Sequence, residues 1–313
     1  MPLTALSRRT FLTRSADLGL LTLLSAGLPR AVLSDPLGIP AGIQLYSVNQ
    51  SMQSDPAGTL QKLQRIGYRN VESAGLGGLP VNDFRKLLDD AGLSCPSAHL
   101  DFMKGTIEAN FEVAHALGAS YAVSSVLRTG TGALPKLDPA FSQYAELLRA
   151  MTLEDAKQTA ELANQIGTKA KQAGLQYAYH NHFMEFVDQG HGAIAYDVLL
   201  RETDPELVGF EIDCGWMKVA GHNPVHYLRK YPHRFPMIHV KDFLKTGRKS
   251  ASAPGMRVGT ELGHGFIDYH PIFAAAKAQG LKYYFVEQEA PFTRMSPLDA
   301  AQVNYDYLRA LNV

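Results

Sequence analysis

The sequence has little of several features that define common protein classes. Two cysteines among 313 residues are too few for a disulfide framework. Lys plus Arg and Asp plus Glu both total 30, so no net positive charge is available to bind a nucleic acid backbone. No apolar run reaches the roughly 20 residues that an ordinary membrane-spanning helix requires. With 46% hydrophobic residues, the chain is expected to be a globular protein with a sizeable core.

The first 31 residues are predicted to be an export signal rather than part of the fold. Arg8 and Arg9 are followed by an apolar stretch, residues 18–28, and by small residues near Ala31. This order is typical of a secretory signal, and the arginine pair indicates the twin-arginine type. A buried N-terminal helix is the alternative. We therefore expect residues 32–313 to work in the periplasm, with no membrane association in the mature form.

The rest of the chain alternates short apolar segments with amphipathic segments of helical length. The predicted strands are residues 42–46, 69–72, 93–99, 120–124, 175–180, 208–213, 235–240 and 282–287. The predicted helices are residues 55–66, 81–91, 106–117, 141–150, 153–173, 193–201, 224–230, 267–279 and 297–311. Eight strand–helix units in a chain of this length are typical of an α/β (β/α)₈ TIM barrel.

An open doubly wound sheet is the alternative fold. Such a sheet requires a glycine-rich phosphate loop after the first strand, and residues 47–50 contain no glycine. Because no internal repeat and no interdomain linker is found, a single barrel domain is predicted over residues 32–313.

Polar side chains gather where the predicted strands end, and the set is Gln44, Tyr46, Glu72, His99, Asp101, Ser124, His180, His182, Asp213, His239, Lys241, Glu287 and Glu289. Catalytic residues of TIM barrels lie at the C-terminal ends of the strands. A barrel interior prefers branched apolar residues, so its stability does not require these polar ones. We expect them to converge on one site.

Four of these residues, one from each of strands five to eight, are predicted to bind a metal: His180, Asp213, His239 and Glu287. Two imidazoles and two carboxylates suit one divalent ion such as Mn²⁺, Co²⁺, Zn²⁺ or Mg²⁺. Cys214 is expected to point away from Asp213 into the packing, because side chains alternate along a strand. Cys95 and Cys214 are each assigned to a strand, and the two strands are not adjacent, so no disulfide is expected. For His239 alone, a hydrogen-bonded core histidine is the alternative.

Five motifs together carry a resemblance to a known family. They are residues 42–46 (GIQLY), 179–186 (YHNHFMEF), 211–216 (EIDCGW), 238–242 (IHVKD) and 286–289 (VEQE). With them the chain resembles the sugar phosphate isomerase/epimerase superfamily, with its xylose isomerase-like barrel, over essentially the whole of residues 32–313. The resemblance implies one divalent metal held at the ends of strands five to eight. It also implies a small sugar or polyol that chelates the metal through neighbouring oxygens.

The chain departs from the epimerases of this superfamily at strand five. They usually carry a glutamate there, which works with the strand-eight glutamate as a proton-shuttling pair. His180 occupies that position here, so the paired-carboxylate mechanism is not expected to hold unchanged. Glu185 and His182 are the second and third choices for the strand-five ligand. Trp216 stands where another epimerase pattern has a histidine, and it is a suitable stacking face for a sugar ring.

The chemistry expected of such a site is removal of a proton next to a carbonyl. A metal that chelates a carbonyl and an adjacent hydroxyl stabilises the resulting enediolate, from which isomerisation, epimerisation or β-elimination can follow. The candidate proton-transfer residues are Glu287, Glu185, His182, Lys241 and His99. The candidate substrate-binding residues are Gln44, Tyr46, Glu72 and Trp216. An exposed rim lysine is the alternative for Lys241, and a hydrogen bond that orients a ligand is the alternative for His99.

The expected substrate is an unphosphorylated sugar, keto-sugar or keto-glycoside, because sugar phosphates are mostly cytoplasmic. Lys245, Lys249 and Arg257 could bind an anion, although a solvated loop over residues 243–263 is the alternative. Two other function classes are the alternatives. A non-catalytic sugar-binding protein would be expected to have lost metal ligands, and an endonuclease would need more ligands and a basic surface. Nucleic acid partners are not expected, and oligomerisation is left open.

Overall fold

A computed structural model describes residues 35–134, 145–146, 148–245 and 258–311 of the chain. The predicted export signal over residues 1–31, together with Lys249 and Arg257, lies outside these residues. So does much of the predicted helix over residues 141–150. Where that segment is described, it forms turns and irregular loop rather than helix. Within the described part of the chain, no helix is long and apolar enough to span a membrane.

The predicted (β/α)₈ barrel is confirmed. Its eight parallel strands are β1 (Gly42–Gln44), β2 (Asn70–Ala74), β3 (Ser94–His99), β4 (Tyr121–Ser124), β5 (Gln176–His180), β6 (Val208–Asp213), β7 (Met237–Val240) and, after the short antiparallel pair β8 (Asp242–Phe243) and β9 (Gly259–Thr260), β10 (Tyr283–Val286). Strands β1 to β7 follow one another around the barrel, and β10 closes it between β7 and β1. At the closure Gly42 pairs with Phe285. A Cβ on residue 42 would come within 2.6 Å of the Phe285 ring, so only glycine fits this approach.

The helices outside the barrel are α1 (Asn49–Ser54), α2 (Pro56–Ile66), α3 (Val81–Ala91), α4 (Ile107–Leu117), α5 (Leu153–Gln172), α6 (Ala195–Glu202), α7 (Cys214–Val219), α8 (Pro224–Lys230), α9 (His270–Ala278) and α10 (Pro297–Ala310). Local sequence fixes their starts. Thr152 and Asp155 form a reciprocal capping box before α5, and Asp55 accepts from the backbone of Gly58 at the start of α2. Helices α1 and α7 were not predicted. Cys214 was assigned to a strand but opens α7; Cys95 lies on β3 as expected, and both thiols are buried and free.

The barrel interior explains why polar residues converge at one end. Its floor is a separate apolar cluster of Tyr121, Val123, Ala178, Met237 and Phe285. Two residues further along three of these strands come His180, His239 and Glu287. Because side chains two apart on a strand share a face, the same inward face changes from apolar side chains to histidine and carboxylate side chains at the C-terminal end.

Candidate metal centre and active site

The four predicted ligands come together in the structure. His180, Asp213, His239 and Glu287 offer atoms that all lie within 4.8 Å of one another, and all four side chains are buried. Oδ2 of Asp213 lies 3.9 Å from both Nε2 of His180 and Nδ1 of His239. Nδ1 of His239 lies 2.9 Å from Oε2 of Glu287. Two imidazoles and two carboxylates at this spacing fit a divalent transition-metal ion.

Asp213 is held in place from both sides. Its Oδ1 accepts a hydrogen bond from the backbone of Trp216 at 2.7 Å, which caps α7, and its own backbone donates to Asn181 Oδ1 at 3.1 Å. Its Oδ2 is buried and makes no well-aligned hydrogen bond, although Nζ of Lys241 lies 3.0 Å away. Burial raises the pKa of Asp213 to about 6, against the pull of Lys241. This oxygen faces His180 and His239, and Lys241 is its cationic neighbour.

Two further carboxylates, Glu72 and Glu211, lie on the other side of the histidine rings. Both are fully buried. Oε2 of Glu211 lies 2.8 Å from His99 Nε2, 3.0 Å from His180 Nδ1 and 3.2 Å from His239 Nε2. Oε2 of Glu72 lies 2.7 Å from His239 Nε2 and 3.1 Å from His99 Nε2. The three imidazoles therefore meet this pair of carboxylates, which we call the inner carboxylates.

The contacts between the inner carboxylates and the histidines determine which of these groups are charged. Burial acts to raise the pKa of Glu72, but His99 and His239 hold it well below its usual range. Burial and Glu72 act to raise the pKa of Glu211, but His239 and His180 lower it to about 2. Burial acts to lower the pKa of His99, yet the inner carboxylates raise it to about 10. Both carboxylates are thus ionised, and His99 is protonated beside them.

Lys241 lies on the opposite side of the ligand set, toward the barrel mouth. Its ammonium is 2.6 Å from Glu287 Oε2 and 2.7 Å from Glu289 Oε1, and it stands 4.9 Å from the centre of the Trp216 ring. Only 3% of the side chain is exposed, so Lys241 is not an exposed rim lysine. Burial opposes its charge, but the surrounding carboxylates raise its pKa well above the usual value. Lys241 therefore stays protonated among the acidic groups.

Two polar atoms beside this cluster are buried without a hydrogen-bond partner: Nδ1 of His182 and Nε1 of Trp216. The ring of His182 lies 5.0 Å from that of His180. Burial and Lys241 lower the pKa of His182 to about 3, so the ring is neutral at physiological pH. The Trp216 ring packs against Phe183 and Phe243. Both atoms are candidates for hydrogen bonds to substrate hydroxyls.

Glu185 does not join the ligand set. Its carboxylate accepts hydrogen bonds from Tyr179 OH at 2.8 Å and from the backbone of His182 at 3.0 Å. Tyr179 precedes His180 on β5 and therefore faces outward, so Glu185 lies in the layer between barrel and helices. Burial raises its pKa to about 7. Of the three candidates for the strand-five ligand, the structure places His180 in the set.

The residues predicted to bind substrate differ in their exposure to solvent. Tyr46 is 46% exposed at the end of β1. Glu72, in contrast, is enclosed beneath the histidines, where Gln44 and Ser97 also donate to it at 3.0 and 2.5 Å. Gln44 and Glu72, which are predicted to contact substrate, contact each other and other groups inside the site. Glu211 was missed altogether, although its position two residues before Asp213 on one strand face was the available signal.

The sequence of the chain is similar to a known protein family and to several known enzymes. Residues 60–311 match the xylose isomerase-like TIM barrel family. Over 281 residues the chain is 27% identical to an inosose dehydratase of Mesomycoplasma hyopneumoniae (strain 7448), a match that covers 87% of this chain and 85% of that protein. It is 30% identical over 155 residues to an inosose dehydratase of Clostridium botulinum (strain Alaska E43 / Type E3), covering 47% of this chain. The chain spans about half the length of the clostridial relatives that it matches, 51% and 52%.

Solved structures show the same architecture. A sugar phosphate isomerase/epimerase from Parabacteroides distasonis has a TM-score of 0.66 and 26% identity, with 85% of this chain and 96% of that chain covered. The IOLI protein, solved with a zinc atom, has a TM-score of 0.62 at 14% identity, with 88% and 99% covered. A xylose isomerase-like TIM barrel protein from Mycobacterium smegmatis, in complex with magnesium, has a TM-score of 0.63 at 15% identity, with 88% and 97% covered. At these identities the last two share the fold alone.

Proposed function

The chain belongs to the xylose isomerase-like TIM barrel family, and from that premise we propose that it is a divalent-metal-dependent dehydratase or lyase of keto-sugars, keto-polyols or keto-glycosides. In this proposal it removes a proton next to a carbonyl and then expels a β-substituent. The observation that carries the proposal is the contact between the Lys241 ammonium and Glu287 Oε2, 2.6 Å, beside the four-residue ligand set. This contact joins a proton donor, a carboxylate and a metal centre.

The metal would be held by His180, Asp213, His239 and Glu287. A bound divalent ion polarises a carbonyl and lowers the pKa of the adjacent carbon, which favours loss of its proton. Among Mn²⁺, Co²⁺, Zn²⁺ and Mg²⁺, the two imidazoles favour a transition metal. Relatives of the same fold were solved with zinc and with magnesium.

The proton-transfer groups of the chain are unlike one another, which suits elimination. Glu287 and Glu289 flank Lys241 and are carboxylates able to accept the proton from the substrate carbon. Lys241, as an ammonium, can donate a proton to the departing hydroxyl. The carbon–hydrogen bond and the carbon–oxygen bond break, a carbon–carbon double bond forms, and water or an alcohol leaves. The relatives named inosose dehydratase support this outcome.

Epimerisation or isomerisation is the second candidate, because the Parabacteroides distasonis structure at 26% identity is a sugar phosphate isomerase/epimerase. A symmetric exchange of protons uses a carboxylate on each face of the substrate. Here the strand-five position is held by His180, and Glu185 is turned into the outer layer. The arrangement therefore favours elimination over exchange.

The substrate is proposed to be uncharged. Near the ligand set the described residues supply five carboxylates, Glu72, Glu211, Asp213, Glu287 and Glu289, and the one lysine among them is already paired with three of these groups. A phosphate would meet an acidic surrounding, whereas hydroxyls can bind His182 Nδ1 and Trp216 Nε1. We also propose a periplasmic location, supported by the arginine pair in the sequence.

The test is proton NMR of reaction mixtures in D₂O. Metal-loaded protein, residues 32–313, is incubated with keto-inositols, 3-keto-glycosides and unphosphorylated ketoses. An unsaturated ketone is the expected product, together with a released alcohol when the substrate is a keto-glycoside. An epimer or an aldose–ketose pair with one solvent deuteron would transfer the assignment to the second candidate. Binding of these sugars without turnover, in protein shown to hold its metal, would favour a sugar-binding protein.

A further inference from the structure

We propose that Glu72 and Glu211 are positioning residues that make the two ligand histidines bind the metal through different ring nitrogens. His239 binds through Nδ1, and His180 binds through Nε2. This inference rests on the proposed function, in which both rings hold the ion, and it assigns a role to two carboxylates that touch neither the substrate nor the ion.

The ring of His239 lies between an inner carboxylate, Glu72, and a member of the ligand set, Glu287. Its Nε2 is 2.7 Å from Oε2 of Glu72, while its Nδ1 is 2.9 Å from Oε2 of Glu287. A neutral imidazole carries a proton on one nitrogen and a lone pair on the other. Glu72 accepts a hydrogen bond from Nε2–H of His239. In the neutral ring that binds a metal, the lone pair is therefore on Nδ1 and is directed at the ligand set. Carboxylates in this position fix the orientation of metal-binding histidines and raise their basicity.

His180 contacts an inner carboxylate through Nδ1, whereas His239 does so through Nε2. Its Nδ1 is 3.0 Å from Oε2 of Glu211, and its Nε2 faces Asp213 Oδ2 at 3.9 Å. The proton therefore belongs on Nδ1, and the lone pair on Nε2. The two rings lie 4.5 Å apart at an angle of 60°, so a pair of opposite tautomers directs both lone pairs to the same place.

Glu72 is itself fixed, as a positioning group must be. Gln44 Nε2 donates to its Oε2 at 3.0 Å, and Ser97 Oγ donates to its Oε1 at 2.5 Å. Gln44 is in turn anchored, because its Oε1 accepts from the backbone of Tyr46 at 3.0 Å. The chain of contacts runs from the backbone of Tyr46, two residues after β1, through Gln44 and Glu72 to the ring of His239.

In a competing arrangement, the ion would lie on the side of the histidine rings that faces Glu211. His99, His180, Glu211 and His239 also offer atoms within 4.8 Å of one another. That set shares two imidazoles with the first, so filling both would require each ring to lose both protons. An ion in the inner layer alone would be bound by Nδ1 of His180 and Nε2 of His239, which is the reverse of our assignment. The two arrangements therefore differ in an observable way.

The experiment uses zinc-loaded protein labelled with ¹⁵N at histidine. Long-range proton–nitrogen correlation spectra show which nitrogen of each ring carries a proton and which is coordinated. We expect coordinated Nδ1 in His239, coordinated Nε2 in His180, and no coordination of His99. Zinc affinity, measured by competition with a chelator, is expected to fall roughly 10- to 100-fold in Glu72→Gln and in Glu211→Gln. In Glu72→Gln, we expect that His239 no longer binds zinc through Nδ1 alone. In Glu211→Gln, we expect that His180 no longer binds zinc through Nε2 alone.

Glu185→Gln is the matched control, since it removes another fully buried carboxylate from the outer layer, and it should keep the wild-type zinc affinity and ring assignments. Coordination of both rings through the same nitrogen, or the reversed pattern with His99 coordinated, would overturn the inference. An equal loss of affinity in Glu185→Gln would also overturn it, because the loss would then reflect general damage. If the expected ring pattern is found but no keto-sugar is turned over, the proposed activity fails and the positioning role stands. A wild-type protein that takes up no zinc would reject both.

Discussion

The ammonium of Lys241 lies 2.6 Å from Oε2 of Glu287, across the two neighbouring strands β7 and β10. Each residue directly follows the last residue of its strand, so the pair stands at the barrel mouth rather than in its floor. Glu289 and Asp213 approach the same nitrogen at 2.7 and 3.0 Å. One cation thus serves three carboxylates, two of which belong to the ligand set.

Lys241→Met is expected to lower turnover by a factor of roughly 10² to 10⁴, the usual contribution of one acid–base group. Metal content should be retained, because loss of a neighbouring positive charge cannot weaken the attraction of Asp213 and Glu287 for a cation. Steady-state kinetics together with metal analysis of the same sample measure both quantities. Lys218→Met, on α7, is the control for loss of a lysine. If metal and activity disappear together, Lys241 supports the metal centre rather than the proton transfer.

Asp213→Asn and His239→Gln are expected to abolish activity and metal binding while the far-ultraviolet circular dichroism stays nearly unchanged. The ligands lie above the apolar floor, and the asparagine side chain can still accept the Trp216 backbone hydrogen bond that caps α7. Asp55→Asn makes the same change at the cap of α2 and should keep metal and activity. Full activity in wild-type protein after removal of its metal by a chelator would contradict this prediction.

Glu185 is expected to make the stability of the metal-free protein depend on pH. Burial raises its pKa from 4.5 to about 7, so the folded state keeps a proton that the unfolded state releases between these values. The folded state is therefore favoured by this group at low pH, and that advantage is lost as the pH rises through 7. Relative to Glu185→Gln, the wild type should lose about 2 to 3 kcal/mol of unfolding free energy between pH 5 and 8.

Urea unfolding of the two proteins at several pH values measures this difference. Glu161→Gln on the exposed face of α5 is the control for loss of a carboxylate from the surface. A constant difference between wild type and Glu185→Gln across the pH range would show that Glu185 is ionised in the folded protein throughout.

Arg8→Lys together with Arg9→Lys is expected to keep the protein in the cytoplasm of its host, because the twin-arginine route reads the arginine pair. Cell fractionation followed by immunoblotting measures the distribution. Arg14→Lys changes another arginine of the same segment and should leave export intact. Continued recovery of the double variant from the periplasm would reject the twin-arginine assignment, although another export route would remain open.

The sequence was sufficient to predict the fold because eight short strand-like segments alternate with segments of helical length. Strand β6 was predicted with its observed bounds, and α3 and α8 likewise. Helix α7 was missed because it is short and begins directly after β6. Its start depends on the side chain of Asp213, which caps it while also belonging to the ligand set. Because Asp213 was already interpreted as the end of a strand and a metal ligand, it was not recognised as the N-cap of a helix.

The convergence of His180, Asp213, His239 and Glu287 could be predicted because these residues stand at the ends of four successive barrel strands. The inner carboxylates could not be assigned in this way. Glu72 ends a predicted strand and resembles a substrate contact, and only the closed barrel brings it within 2.7 Å of His239. Glu211 lies inside a strand, where an apolar neighbour on each side hides it. Their role depends on contacts across the barrel, which the order of residues along the chain does not reveal.

The order of strands has a consequence for how the protein is made. Glu287 follows β10, the last barrel strand in the chain, and β10 must pair with β1, the first. On the ribosome, the four-residue ligand set therefore cannot exist until nearly the whole chain has emerged and the sheet has closed. A chain that stops short of Glu287 keeps only three of the four ligands. A metal site that needs all four residues would therefore be complete only in a finished barrel, and metal content would distinguish finished barrels from shorter translation products.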